Sequence, residues 1–322
     1  MKIVFFWTAD FSANILDKLF HTQWIQIVWV VSQADKPVGR KKEILPTPVK
    51  QKALDFWIPV FQPETLKNNQ VFYQILSELQ ADFFVVVAYG KIIPLQILEL
   101  PKYLSVNIHG SLLPLYRGAS PIQAAIKNGD SKTWVTIIKM TAGMDEWDIL
   151  STLEVDIWHR TKTQDIFDFF SQNATQVLVD TLIKYQNGEI VWIPQNHWEA
   201  TYCGKISKED GQIDFLKQSG KEIFCTWKAY HIWPGIYSFY QWKKIQFTQI
   251  DFEENASCLE NWFEVWDVVE YEDHWENHIA ILTQDWLLIL EKVKLEWKKE
   301  MDILPFVNGY KTFLEYNFVI QK

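Results

Sequence analysis

The chain has 322 residues, of which 48% are hydrophobic and 22% charged. That is ample for one large or two medium domains, and too apolar for a disordered protein. Its net charge of −9 excludes a protein that coats nucleic acid non-specifically, while leaving room for a local basic patch that grips one RNA.

No apolar run approaches a membrane span, and Met-Lys-Ile-Val-Phe-Phe at the start is too short for a signal peptide's apolar region. Three cysteines, Cys203, Cys225 and Cys258, lack metal-ligand spacing and point to a reducing, cytoplasmic compartment.

Residues 2–6 read as a buried strand, and Thr8–Phe11 leads into a helix of about ten residues. Ile25–Val31 and Ile58–Phe61 are further strands. Between them, residues 32–50 form a loop with three prolines and a basic run, Arg40, Lys41 and Lys42. Asn69–Leu79 has helical spacing at Val71, Ile75 and Leu79. Asp82–Ala88 is a continuous apolar run suited to a central parallel strand. Strands alternating with helices predict a doubly wound, mostly parallel α/β domain, with ligands outside the strand C-termini. The first βα turn lacks Gly-x-Gly-x-x-Gly, which argues against a nicotinamide dinucleotide.

Leu104–Ile108 is the next strand. It delivers Asn107 and His109 to one face, because strand side chains alternate. A helix starts near Ala119–Pro121. Thr133–Met140 and Ile149–Asp156 are strands flanking a loop, Thr141–Trp147. Thr163–Gln186 is a long helix with Ile166, Phe169, Phe170, Val177 and Leu178 as its buried stripe. Short strands then recur at Ile213–Phe215, Ile236–Tyr240, Ile245–Ile250, Val265–Val269, His278–Leu282 and Leu287–Val293, with a closing helix at Phe306–Tyr316. This spacing predicts a small barrel.

An isolated Asn-x-His at a strand end is most simply a satisfied polar pair. The longer stretch carries more. Asn107-Ile-His-Gly-Ser-Leu-Leu-Pro114, then Tyr116-Arg-Gly-Ala-Ser-Pro-Ile-Gln123, with Gly143-Met-Asp-Glu-Trp-Asp148 further on, resembles the 10-formyltetrahydrofolate-dependent formyltransferases. The likeness is strongest to their methionyl-tRNA formyltransferase branch, and it runs from Lys2 to Tyr316.

The resemblance implies a catalytic domain at 1–190, a linker at 191–206 and an OB-like tRNA-binding barrel at 207–322. It implies transfer of formyl from 10-formyltetrahydrofolate to the amine of methionyl initiator tRNA, without a metal, by a chain acting as a monomer. Asn107 would donate to the oxyanion. His109 would donate or shuttle the proton, and Asp145 would orient His109 or relay the proton through water. Ser111, Leu112, Leu113 and Pro114, with backbone of Ala88, Tyr89, Gly90 and Ile92, would frame the folate. The loop carrying Arg40, Lys41 and Lys42 would grip the acceptor stem. Arg117 either holds its turn or meets substrate. Two other readings remain: formylation of an amino sugar nucleotide, and an inactive tRNA-binding relative.

Composition adds an anomaly. There are 17 Trp and 12 Gly, where ordinary usage gives about 22 Gly. Many Trp stand where turn chemistry asks for glycine, such as Trp7 after the first strand and Trp242 between two strand-like runs. The resembling family carries glycine at Trp7, Trp29, Trp57, Trp134, Trp147, Trp286 and Trp297, whereas Trp233 matches a tryptophan it keeps. The expectation is that the gene uses UGA for glycine. Trp24, Trp198, Trp242, Trp266 and Trp275 are further candidates; Trp158, Trp192, Trp227 and Trp262 are undecided.

Overall fold

The computed structural model describes residues 1–7, 13–38, 43–253, 264–273, 276–283 and 286–318. Its first elements are β1 (Lys2–Trp7), α1 (Ala13–His21), β2 (Gln26–Ser32), β3 (Lys36–Val38), β4 (Glu43–Leu45), α2 (Pro48–Asp55), β5 (Val60–Phe61) and α3 (Gln70–Glu78). Next come β6 (Phe83–Val87), α4 (Leu95–Leu98), β7 (Leu104–His109), β8 (Arg117–Gly118), α5 (Pro121–Lys127), β9 (Lys132–Lys139), β10 (Ile149–Asp156) and α6 (Thr163–Gln186). The remainder holds β11 (Tyr202–Cys203), α7 (Gly220–Tyr230), β12 (Ile236–Tyr240), β13 (Lys243–Glu253), β14 (Val268–Asp273), β15 (Glu276–Leu282), β16 (Leu287–Leu295), β17 (Met301–Asp302) and α8 (Ile303–Gly309).

Two compact units result. The first comprises residues 1–122, 132–156 and 165–205, and the second residues 123–131, 157–164 and 206–322.

The first unit is built on a sheet of order β10-β9-β7-β6-β1-β2-β5. β5, β2, β1, β6 and β7 are parallel; β9 runs antiparallel to β7, and β10 to β9. β6 is buried along its whole length, as is β1 after Lys2. Their runs of Ile, Val and Phe therefore show no polar alternation, as expected of strands covered on both faces. The chain builds outward from β1 through β2 to β5, then returns beside β1 with β6, so the order switches at β1/β6. The unit is a doubly wound, mostly parallel α/β fold. α3 seals one cluster with Phe72 and Leu76 packed among Val4, Phe6, Phe84 and Val86. On α6, Ile166, Phe170, Ala174, Leu178 and Leu182 are buried at helical spacing, while Phe169 and Val177 are half-buried.

The second unit carries an antiparallel sheet of order β12-β13-β16-β15-β14, with β17 beside β16. It is consistent with an OB-like domain. Its core joins Phe224 and Trp227 of α7 to Phe247, Leu288, Leu290 and Val293 of the sheet.

Several local expectations change. Residues 32–50 are not one loop. β3 and β4 pair antiparallel within them, and α2 starts at Pro48 under the Thr47 cap, whose Oγ1 accepts from Lys50 N at 3.2 Å. Ile213–Phe215 is not a strand. Ile213 makes one bond to Tyr237 O (2.8 Å), and Asp214 then turns the chain by accepting from Leu216, Lys217 and Gln218. The expected closing helix is α8 followed by a 3₁₀ turn at Lys311–Glu315. Lys228 of α7 is buried and donates to His159 O at 3.0 Å. Arg40, Lys41 and Lys42 lie outside the described residues, as do Cys258, Trp262 and Trp275. Among the described residues, no helix is long and apolar enough to cross a membrane.

Candidate active site

β7 ends the apolar alternation with two polar residues on one face. Asn107 is half-buried and His109 is buried. Both lie toward the C-terminal end of β7, one strand removed from the β1/β6 switch, which is where open α/β sheets place ligands. His109 Nε2 lies 3.0 Å from the Tyr116 carbonyl oxygen. A carbonyl only accepts, so Nε2 carries a proton. His109 Nδ1 then faces Asp145 Oδ2 at 3.6 Å. The two side chains are 5% and 14% exposed, so their interaction is only weakly screened by water.

Asp145 arrives from the loop between β9 and β10 in left-handed backbone, φ 54°. Its Oδ2 also accepts from Gly118 N at 2.9 Å. Gly118 has to be glycine: φ is 121°, and a Cβ there would lie 2.2 Å from the Cys203 carbonyl oxygen. That close approach comes from the parallel pairing of β8 with β11.

The turn after β7 is tied down from within. Ser111 Oγ donates to Leu115 O at 2.6 Å. Ser111 and Leu113 are buried, while Leu112 and Pro114 are half-buried. On the neighbouring strand end, Ala88 (φ 46°) and Gly90 (φ 72°) turn the chain outward. Tyr89 is buried there, Ile92 is exposed, and Gln33 Nε2 donates to Tyr89 O at 2.6 Å. Burial pushes the Tyr89 phenol up to about 12.

Residues 193–203 pack into the first unit and supply groups that local sequence reading does not reveal. Thr201 Oγ1 accepts from Tyr116 N and Thr201 O from Arg117 N, both at 2.8 Å. Gln195 Nε2 donates to Asp145 O (2.9 Å) and Trp147 O (2.6 Å), and its Oε1 accepts from Arg117 Nη2 at 2.7 Å. Arg117 is buried, so it holds this turn rather than projecting to solvent. The Trp147 side chain is exposed.

The structure thus brings His109 and Asp145 together, with Asn107 on the same strand as the histidine. A buried imidazole facing a carboxylate, beside a strand-end amide, can move a proton and donate to a developing oxyanion.

Residues 1–182 match the Formyl transferase family, and residues 205–311 match the family of the Formyl transferase C-terminal domain. A methionyl-tRNA formyltransferase of Caldicellulosiruptor saccharolyticus is 39% identical over 311 residues, 97% of this chain and 97% of that protein. One from Sulfurihydrogenibium sp. is 37% identical with the same coverage. Among solved structures, WlaRD, a sugar 3N-formyl transferase crystallised in the presence of dTDP and 5-N-formyl-THF, has a TM-score of 0.61 at 18% identity. It covers 93% of this chain and 99% of its own. An N-formyltransferase from Helicobacter canadensis, in complex with folinic acid and dTDP-3-aminofucose, has a TM-score of 0.60 at 16% identity and covers 90% and 97%. These two share the fold. Near-full-length identity to the sequence relatives goes further: the chain belongs to the formyltransferase family, in its methionyl-tRNA formyltransferase branch.

Proposed function

We propose that this chain transfers the formyl group of 10-formyltetrahydrofolate to the α-amino group of methionyl initiator tRNA. The observation that carries the reading is the buried His109 facing the half-buried Asp145 in a chain 39% identical, over 97% of its length, to a methionyl-tRNA formyltransferase.

The chemistry follows from the groups present. The neutral amine attacks the formyl carbon, and the carbonyl oxygen becomes an oxyanion. Asn107 donates to that oxyanion. As the tetrahedral intermediate collapses, N10 of the folate needs a proton and the new amide nitrogen must lose one. His109 moves that proton, with Asp145 orienting the ring and balancing its charge. Ser111, Leu112, Leu113 and Pro114, with the backbone of Ala88, Tyr89, Gly90 and Ile92 and the Thr141–Trp147 loop, frame the folate. Backbone donors and acceptors read a pterin edge without charge.

Residues 1–190 serve as the catalytic domain, 191–206 as the link and 207–322 as the tRNA-binding domain of a monomer. Arg40, Lys41 and Lys42 meet RNA phosphates. The base of that hairpin is braced. Lys50 Nζ bonds Asp35 Oδ2 at 2.6 Å, Gln62 bonds both residues, and these contacts hold the Asp35 carboxyl below its usual range.

The test is a competition between methionyl initiator tRNA and an amino sugar nucleotide for labelled formyl-folate. Label on the tRNA is the expected result. Label on the sugar alone would replace this reading with the other branch of the fold.

A further inference from the structure

Among the described residues, five tryptophans take left-handed backbone: Trp24 (φ 75°), Trp57 (57°), Trp242 (65°), Trp266 (78°) and Trp297 (63°). Each occupies a position in a turn that favours glycine. Trp57 follows the C-cap of α2. Its N–H donates to Leu54 O (3.0 Å) and the Ile58 N–H donates to Ala53 O (2.8 Å). Those paired bonds make a Schellman motif, whose left-handed residue is usually glycine.

Tyr240 pairs with Lys243, so Gln241 and Trp242 form a two-residue hairpin loop. Both have positive φ, 46° and 65°, which is the type I′ turn that takes glycine second. Trp24, Trp266 and Trp297 stand third in turns closed by Ile25 N to Thr22 O (3.3 Å), Asp267 N to Glu264 O (3.1 Å) and Lys298 N to Leu295 O (2.9 Å). Positive φ at that place is the glycine position of a type II turn.

Four of these side chains have nothing to offset the strain. Trp24, Trp57, Trp242 and Trp297 are 81%, 94%, 85% and 93% exposed, so their indoles remove almost no apolar area from water. Trp227 behaves differently. It is buried in the core, and its Nε1 donates to Thr248 O at 3.3 Å.

We infer that positions 24, 57, 242, 266 and 297 are glycine in the protein its host makes, because the host decodes UGA as glycine. Trp227 and Trp233 are true tryptophans. Two readings of the same molecule test this. The gene is expected to carry UGA at the five positions and UGG at 227 and 233. Peptides of the protein isolated from its own cells are expected to show glycine at 57, 242 and 297. UGG at any of the five codons, or a tryptophan-containing peptide at any of them, overturns the inference.

Independently, the geometry points to Gln195 and Arg117 as positioning residues for Asp145, an inference that rests on the proposed chemistry. Gln195 is buried and uses its amide at both ends. Both Nε2 bonds go to the carbonyls of Asp145 and Trp147, while Oε1 takes Nε (3.2 Å) and Nη2 (2.7 Å) of Arg117. Arg117 is anchored in turn by His197 Nδ1 at 3.0 Å. Asp145 sits at φ 54°, a conformation that persists only when its surroundings hold it.

Gln195→Glu keeps the acceptor for Arg117 but deletes both donors to the Asp145 loop. Its kcat is expected to fall about tenfold to a hundredfold, the scale of a misplaced catalytic group, with KM for methionyl-tRNA unchanged. Arg117→Lys, which keeps the charge and loses the fork, is expected to lower kcat in the same way. Asp145→Ala is run alongside. If it is impaired while Gln195→Glu and Arg117→Lys keep wild-type kcat, the positioning role is overturned. If Asp145→Ala is itself fully active, the proposed chemistry fails instead.

Discussion

Replacing the exposed left-handed tryptophans with glycine is expected to stabilise the protein, which is unusual for a large-to-small change. Trp24 and Trp57 lie in the first unit, and Trp242 and Trp297 in the second. An L-residue with a Cβ costs about 1–2 kcal/mol in left-handed backbone. Glycine returns about 0.5–1 kcal/mol of that through the greater freedom of its unfolded chain. Burial contributes almost nothing to the balance, since each indole is more than four-fifths exposed.

The net gain is about 0.5–1 kcal/mol per site, so about 1–2 kcal/mol for the pair in each unit, or roughly 3–6 °C in Tm for a unit of this size. Trp266→Gly is the internal contrast. That side chain packs in the core against Phe215, so its removal opens a cavity and is expected to offset the relief of strain. The assay is thermal unfolding of the four-glycine variant and of Trp266→Gly against the tryptophan-containing chain. A four-glycine variant that melts lower would refute the claim that these turns are strained.

Three further outcomes follow from the site and its surroundings. His109→Ala and Asp145→Ala are each expected to lower kcat about a hundredfold to ten-thousandfold with little change in KM for tRNA; equal loss in kcat and affinity would remove their chemical role. Replacing Arg40, Lys41 and Lys42 with Gln is expected to raise KM for methionyl-tRNA and flatten its dependence on salt, and an unchanged KM would take the hairpin out of recognition. Tyr89 has a folded value of about 12 against 10.0 for an exposed phenol. The folded state therefore holds this proton more tightly, and the stability present below pH 10 is lost as pH rises toward 12. Tyr89→Phe is expected to soften alkaline unfolding in that window, which denaturant titrations at pH 9 and pH 11 would reveal.

Local signals carried far into the structure. α6 begins and ends where its apolar spacing does, and β10 spans Ile149–Asp156 as expected, because long periodic segments outweigh single-residue noise. Asn107 and His109 were recognisable because strand alternation fixes which residues share a face. α7 was missed although its start was written in the chain: Ser219 and Glu222 form a full capping box. Thr47-Pro48 gave a similar sign for α2, hidden inside a stretch read as loop.

The supports of Asp145 were not legible in the same way. Gln195 is 50 positions from Asp145 and 78 from Arg117, and no local pattern encodes a hydrogen bond across such distances. The folding of 193–203 against the turn at 114–119, through β8 and β11, is what brings them together. It also buries Arg117 within its turn.

Formyl transfer itself tests the central claim most directly. The chain with glycine at 24, 57, 242, 266 and 297 is incubated with labelled 10-formyltetrahydrofolate and methionyl initiator tRNA, with its Asp145→Ala variant alongside. Label appearing in formyl-methionyl-tRNA, and lost in the variant, is the expected result. A folded glycine-containing chain that leaves methionyl-tRNA unlabelled would contradict the proposed function.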